Sequence, residues 1–399
     1  MKCQNKKAQK VFLVTLFFLV FFGLNIVPGD FAKIDYVLTP ALFFLVIGRL
    51  TKKSLYSKYV LLYLIFVFFS CLYSMIYNHQ AIYYVIIHSY PFWSLFFFFY
   101  LIKSDISASE AESVLIKLSI ICCCCYLIQW IVYPIVLFAG AASENAVNDE
   151  EYRVRISGTI CCYCLFFYGA NKFIVKKKAK YLLCSILAFI PIIIMGFRSL
   201  TTLSLVSLVI MILKLSRNVK KALLYFFVGL IVSLSLFQLD IVKTKIIEMG
   251  QRNDDEQTFL NENYIRWIEL DYYWNEQFTK PMEKFFGGGW PTDPNSKYTK
   301  DIYLFAYEKR LFWDDLGIVG LGLIIGMPAV LVLSLLYFVC IWRCKEPALQ
   351  YIRFTLLTVF MGSILMTCEL FRTGNILLLS FFLYIEEKYH QDNVIKYLS

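Results

Sequence analysis

Arg155, Arg198 and Arg372 stand at the edges of long apolar stretches, and Arg266 lies in the one long polar segment of the chain. A guanidinium keeps its charge at any ordinary pH, and its planar fork matches two oxygens of a phosphate at once. Charge beside hydrocarbon is costly to keep, so it usually marks function or a paired partner. Together these arginines are candidates for gripping a phosphate-bearing ligand at a membrane surface. Plainer readings stand beside two of them. Arg372 follows Glu369 by three residues, as a paired interhelix residue would, and Arg266 precedes Glu269 by three, as in an exposed helical ion pair worth under about 1 kcal/mol. Arg198, in Gly196-Phe197-Arg198-Ser199, has no carboxylate near it in sequence, which makes it the clearest functional candidate.

Other chemistry is thinner. The chain has 3 His, of which His79 and His88 flank an apolar run and His390 lies near the C-terminal end. Glu269 and Asp271, two apart on an expected helix, diverge by about 200°, and Asp254-Asp255-Glu256 reads as solvated loop. No metal or other cofactor is expected. The 13 Cys fall mainly in apolar stretches, notably Cys122 to Cys125 and Cys161, Cys162 and Cys164. Four consecutive Cys on a helix point in directions about 100° apart and cannot surround one ion. They read as small apolar packing residues.

The elements that must position the arginines follow from composition. With 59% hydrophobic, 18% aromatic and 17% charged residues, the chain departs from soluble domains, which are roughly half apolar and a quarter charged. Apolar stretches of spanning length fall near 11–27, 31–48, 59–77, 82–102, 115–139, 156–174, 181–195, 200–213, 222–239, 316–341, 352–371 and 374–385. The expected fold is therefore all-α and polytopic, with about 12 transmembrane helices. It divides into helices 1–9 (1–239), a long loop (240–315), and helices 10–12 with a tail (316–399). The first stretch lacks a small-residue cleavage site and is expected to stay as a span.

Orientation follows from Lys and Arg. With the N-terminus inside, 24 lie on the cytoplasmic side and 15 outside, and 10 of the latter are in the long loop, whose length weakens their vote. The short outer connections hold 5. This predicts N-in, C-in topology. The overall +10 separates into +17 inside and −7 outside, so the basic charge is an orientation signal and no basic soluble domain offers itself to nucleic acid.

The 240–315 segment is expected to carry helices at Asp240 to Met249 and Glu262 to Phe278. Thr279-Lys280-Pro281 should stop the second, and Gly287-Gly288-Gly289 should open a turn. Tyr264, Ile265, Ile268, Tyr272 and Trp274 suit a helix lying on a membrane surface. A segment of this size suggests a lid or substrate platform.

Five strings, in this order, resemble the O-antigen polymerase and ligase superfamily: Arg155-Ile156-Ser157-Gly158-Thr159, Gly196-Phe197-Arg198-Ser199, Asn263-Tyr264-Ile265-Arg266-Trp267, Phe285-Phe286-Gly287-Gly288-Gly289, and Asp315-Leu316-Gly317-Ile318-Val319-Gly320-Leu321. The resemblance covers roughly 150–325 and implies a bacterial inner-membrane glycosyltransferase of the C type, its long periplasmic loop capping a cavity. It implies polymerisation, by transfer of a growing glycan from undecaprenyl diphosphate to the next lipid-linked repeat unit. Arg198 and Arg266 would be catalytic, and Arg155, Arg198, Arg266, Gly288 and Trp267 would bind substrate. Undecaprenyl-diphosphate-linked oligosaccharides and the bilayer are the implied partners, with a chain-length regulator and a flippase alongside. Trp267, Trp274 and Trp290 are placed to stack on sugars or to anchor at the interface.

Ligases of this superfamily carry a His late in the long loop. This chain has none between His88 and His390, which favours polymerase over ligase. It leaves the general base open among Glu269, Asp271, Asp301, Glu308 and Asp315. A flippase or exporter of lipid-linked oligosaccharide would share the spans and the arginines, and the long outer segment argues against one.

Overall fold

The computed structural model describes residues 2–22, 35–50, 54–132, 135–138, 156, 158–216, 265–309, 311–365, 369–371 and 373–398. The expected span at 222–239 and the expected helix at 240–249 lie outside the described residues. Among the described residues the regular structure is helical, with no strand.

Helices occupy the described parts of the apolar stretches. They are α1 (Lys2–Phe22), α2 (Asp35–Val46), α3 (Ser57–Tyr77), α4 (Ile82–His88), α5 (Tyr90–Trp93), α6 (Phe97–Ser104), α7 (Ala108–Ile131), α8 (Ile160–Lys176), α9 (Ala179–Ile194) and α10 (Arg198–Leu215). After the undescribed stretch come α11 (Ile265–Asp271), α12 (Pro281–Phe286), α13 (Lys297–Lys309), α14 (Gly317–Ile325), α15 (Met327–Arg343), α16 (Gln350–Leu365) and α17 (Thr373–Leu398). Some starts are written locally: Ser107 and Glu110 form a reciprocal capping box at the head of α7, satisfying donors that the first turn leaves orphaned.

Two expected single spans are broken. The 82–102 stretch is divided into α4, α5 and α6, with Pro91 in the first turn of α5, because proline lacks the N–H that would continue the preceding helix. The 316–341 stretch is divided at Gly326, which has φ +89°, a conformation that other residues adopt at a cost. The last stretch, expected to be short, instead belongs to the 26-residue α17. Its polar half, from Glu386 onward, continues the same helix.

Among the described residues two helices, α3 and α7, are long and apolar enough to cross a membrane by length and composition. Shorter apolar helices include α9 and α15. On α15 the exposed positions Leu331, Leu335, Phe338 and Trp342 form an apolar stripe, while Leu333, Leu336, Tyr337 and Cys340 are buried. A helix apolar all round belongs in a large core or beside lipid.

One large apolar core joins α1 to α3 and α5 to α10 with α14 to α17. Within it α8 packs on α9, α3 on α15, α16 on α8 and α10, and α17 on α6 and α7. Cys122, Cys123, Cys125, Cys161, Cys162 and Cys164 are buried in this core as free thiols, while Cys124 is exposed. At the end of the bundle away from the 265–316 segment, Glu386 accepts from Tyr56 Oη (2.5 Å) and Arg343 Nε (2.8 Å), tying α17 to α3 and α15.

The 265–316 segment has a small core of its own, in which Tyr273, Phe278, Ile302 and Leu311 pack with Leu323 of α14. The expected helix ending at Phe278 is α-helical only to Asp271 and continues as a π-turn over Tyr272–Gln277. Pro281 does not simply stop it. It opens α12, where its missing N–H is no loss.

Candidate functional site

The break at Gly326 explains how the 265–316 segment is held. Interrupting a helix frees carbonyls that must find donors when buried. Gly288 N–H donates to Leu323 O (2.8 Å) and Gly289 N–H to Ile324 O (2.9 Å), while Ser70 Oγ also donates to Ile324 O (3.2 Å). Ser70, Ser74 and Asn78 recur every four residues and so share one face of α3. They meet the glycine run: Asn78 Nδ2 donates to Gly288 O (2.7 Å), and a Cβ on Gly289 would lie 2.2 Å from Ser74 Oγ. The sequence between α3 and α4 completes the dock. Gln80 Oε1 accepts from Thr292 N (3.3 Å), Asp293 N (3.4 Å) and Thr299 Oγ1 (3.4 Å), and Asp293 Oδ2 accepts from Ala81 N (2.7 Å). The Ala81 N–H, with those of Asn295 and Ser296, holds the Asp293 carboxyl below the usual aspartate range.

Gly288, expected to bind substrate, is thus committed to the fold through both its N–H and its C=O, and a side chain there would collide with Tyr298 Oη at 2.2 Å. Trp290 is likewise a packing residue, edge-on to Trp313 (5.3 Å) and against Phe92 (5.8 Å). Trp274 receives the Lys284 ammonium over its ring (4.4 Å). Trp267 is exposed with its neighbours Ile265 and Ile268, the apolar surface that an interface helix presents.

Arg266 is half-buried and donates from Nη1 to the backbone carbonyl of Asp315 (3.2 Å), at the turn leading into α14. The simple exposed Arg266–Glu269 pair is not what forms. Glu269 is buried, and its Oε1 accepts the Phe312 N–H (2.9 Å). Oε2 is buried with no hydrogen-bond partner among the described residues. Burial pushes this carboxyl from the ordinary glutamate range up to about 8, opposed by the Phe312 N–H and reinforced by Asp315. Of the five carboxylates left open as general base, Glu269 is the buried one.

A second cluster was not anticipated as a unit. Thr159, Glu369 and Asn375 are all buried and mutually hydrogen-bonded at the heads of α8 and α17. Thr159 Oγ1 donates to Glu369 Oε2 (2.7 Å). Asn375 Nδ2 donates to Glu369 O (2.7 Å), and Asn375 Oδ1 accepts the Ile160 N–H (3.1 Å), one of the donors that the start of α8 leaves over. The two chains abut closely, since a Cβ on Gly374 would lie 2.9 Å from Gly158 Cα. The sequence signal was present: Glu369 and Asn375 are polar residues inside apolar runs.

This cluster gathers the sequence neighbours of the expected arginines. Thr159 follows Arg155 by four residues, Glu369 precedes Arg372 by three, and α10, which opens at Arg198, packs on α8 and α16. Leu200 lies against Gly362, a turn from the end of α16. Arg155 and Arg372 lie outside the described residues, as does the side chain of Arg198, whose backbone opens α10. The described backbone therefore brings the strings bearing Arg155 and Arg372 together and packs α10, which opens at Arg198, on the adjoining helices, while Arg266 lies in the docked 265–316 segment. No protein-family model, no curated protein and no solved structure matches the chain.

Proposed function

We propose that the chain is a polytopic glycosyltransferase of the bacterial inner membrane that polymerises O-antigen or a similar surface polysaccharide. In this reading about 12 helices span the bilayer, both termini face the cytoplasm, and the 265–316 segment lies in the periplasm. The division of 24 Lys and Arg inside against 5 in the short outer connections supports the orientation, and the apolar outward stripe of α15 supports lipid around the bundle.

The observation that carries the reading is the convergence just described. The strings bearing Arg155 and Arg372 meet at a buried polar cluster, the helix that opens at Arg198 packs on the adjoining helices α8 and α16, and the docked segment carries Arg266. The acceptor hydroxyl would attack the anomeric carbon of the glycan held on undecaprenyl diphosphate. As the C–O bond to the diphosphate breaks, negative charge grows on the leaving group, and fixed guanidinium charge in a dry site stabilises it without reorganisation. Arg198 and Arg266 take that role, with Arg155 holding the diphosphate. The acceptor proton passes to a carboxylate, and Glu269 has the proton affinity suited to the task near neutral pH.

A chromosomal deletion, read on a lipopolysaccharide gel, tests the reaction. Polymerase loss leaves core plus a single repeat. Bare core with lipid-linked polymer accumulating identifies a ligase instead, and bare core with lipid-linked single units trapped inside identifies a flippase. Arg198→Ala and Arg266→Ala should each abolish extension while the protein still inserts; full ladders from both would end the diphosphate assignment.

A further inference from the structure

Apart from the arginines, the covering segment and the turn after α3 line an open polar cleft of about 370 Å³, at the small end of the range for small-molecule sites, about 300–1,000 Å³. Its charges cancel: Lys280 and Lys297 are matched by Glu283 and Asp301, with Lys280 Nζ 3.5 Å from Glu283 Oε1. A phosphate site would carry net positive charge and a cation site net negative. This lining instead mixes donors and acceptors, with the amides of Asn78 and Gln277 beside the charged groups. Such a mixture suits ligand hydroxyls, each of which donates and accepts.

One rim carries an aromatic platform. Tyr77 is 65% exposed, yet its ring is held in place by stacking on Tyr73 at 4.6 Å and 23°. A rigid exposed ring beside convergent polar groups offers the apolar C–H face of a pyranose a surface to lie on. Next to it His79 has φ +50°, a left-handed conformation uncommon outside glycine. It persists because the residues on either side are pinned, Asn78 to Gly288 and Gln80 to Ser74. The strained backbone thus sets the imidazole at the mouth of the cleft.

We propose that this cleft is a saccharide-binding subsite, taking uncharged sugar residues of the glycan with Tyr77 as platform and Gln277, His79 and Asp301 as hydroxyl partners. The proposal rests on the polymerase reading only in requiring that the 265–316 segment face the glycan; the composition of the cleft argues for sugar independently. Within that reading it would hold the glycan at a distance from the bond being made.

The test uses the full chain purified in detergent and short oligosaccharides released by mild acid from the surface glycan of the native host. Saturation-transfer NMR should detect binding to the wild type. Tyr77→Ala and Asp301→Asn, both at the surface, should each weaken binding about tenfold with an unchanged melting temperature, while Arg266→Ala should bind normally and fail to extend. Unchanged affinity in both cleft variants, no binding by the wild type, displacement by inorganic pyrophosphate, or binding of only the lipid-linked form would each overturn the subsite. The first two outcomes in a strain that still builds ladders would leave the polymerase reading standing. Binding by the cleft in a host whose ladders survive deletion of the chain would do the reverse.

Discussion

Thr159 at the head of α8 and Glu369 in the turn before α17 are 210 residues apart and joined by a 2.7 Å hydrogen bond. Both are buried, so neither can exchange this partner for water. Asn375 makes the arrangement cooperative, because its amide serves the Glu369 carbonyl and the Ile160 N–H at once. Asn375→Leu, of similar volume, should therefore strand two backbone groups and destabilise the protein by about 1–3 kcal/mol. Thr159→Val removes one donor and should cost less, about 1 kcal/mol. Denaturant unfolding in detergent micelles measures both. Equal and negligible effects would mean the cluster is not part of what holds the two helix heads together.

Gly287 and Gly326 lie back to back where the covering segment meets the broken helix. A Cβ on Gly326 would sit 2.4 Å from Phe285 O, and one on Gly287 would sit 2.4 Å from Gly326 N. Both have positive φ. Gly326→Ala should thus lose more than about 1 kcal/mol from backbone strain alone, with the steric clash added. The damage should be local, and limited proteolysis should cut the 265–316 segment faster while the helical core stays resistant. Wild-type cutting rates would count against this dock.

Gln80 and Asp293 hold the other side of that segment. Gln80→Ala removes the acceptor shared by Thr292, Asp293 and Thr299, and hydrogen exchange at 292–299 should speed up several-fold. Asp293 has its folded-state pKa depressed, chiefly by the Ala81 N–H. Its contribution is present above the ordinary aspartate range, about 3.9, and is lost as pH falls through the lower folded value. Asp293→Asn should blunt this acid sensitivity of the 292–299 amides; an unaltered acid profile would remove Asp293 as its source.

The helices were legible because apolar runs of spanning length leave little choice of structure. Their breaks were less so: Pro91 and Gly326 stand in runs whose composition reads as continuous, and only the partners of the freed carbonyls show why interruption is tolerated. Arg266 was found from its residue type. Its hydrogen bond to the Asp315 carbonyl was not, since backbone acceptors leave no mark in the sequence. Glu269 was one carboxylate among five until its burial under Phe312 distinguished it, and burial of a loop residue depends on contacts 43 residues away. The backbone contacts of Gly288 were hidden for a related reason. Glycines that admit a ligand and glycines that admit another stretch of backbone look alike in sequence.

Glu269 should make the covering segment pH-sensitive in the alkaline direction. Its folded-state pKa is raised to about 8 by burial, so the folded form prefers the neutral carboxyl. The resulting stabilisation is complete below the unfolded value, about 4.3, and is lost as pH rises through about 8. Above that, a carboxylate lies buried beside Asp314 and Asp315 with Arg266 as the attracting charge. The hold of α11 on the 311–316 turn, made through the Phe312 N–H, should loosen. Exchange of the Phe312 amide, corrected for intrinsic base catalysis, and Trp313 emission should both show a transition centred near 8. Glu269→Gln keeps the shape and the acceptor for Phe312 but cannot ionise, so its profile should be flat across that range. If the Gln variant shows the same transition, the titrating group lies elsewhere. If extension activity in the wild type follows the same midpoint while the Gln variant is inactive at every pH, Glu269 is the proton acceptor; a Gln variant that extends chains normally confines its role to holding the segment down.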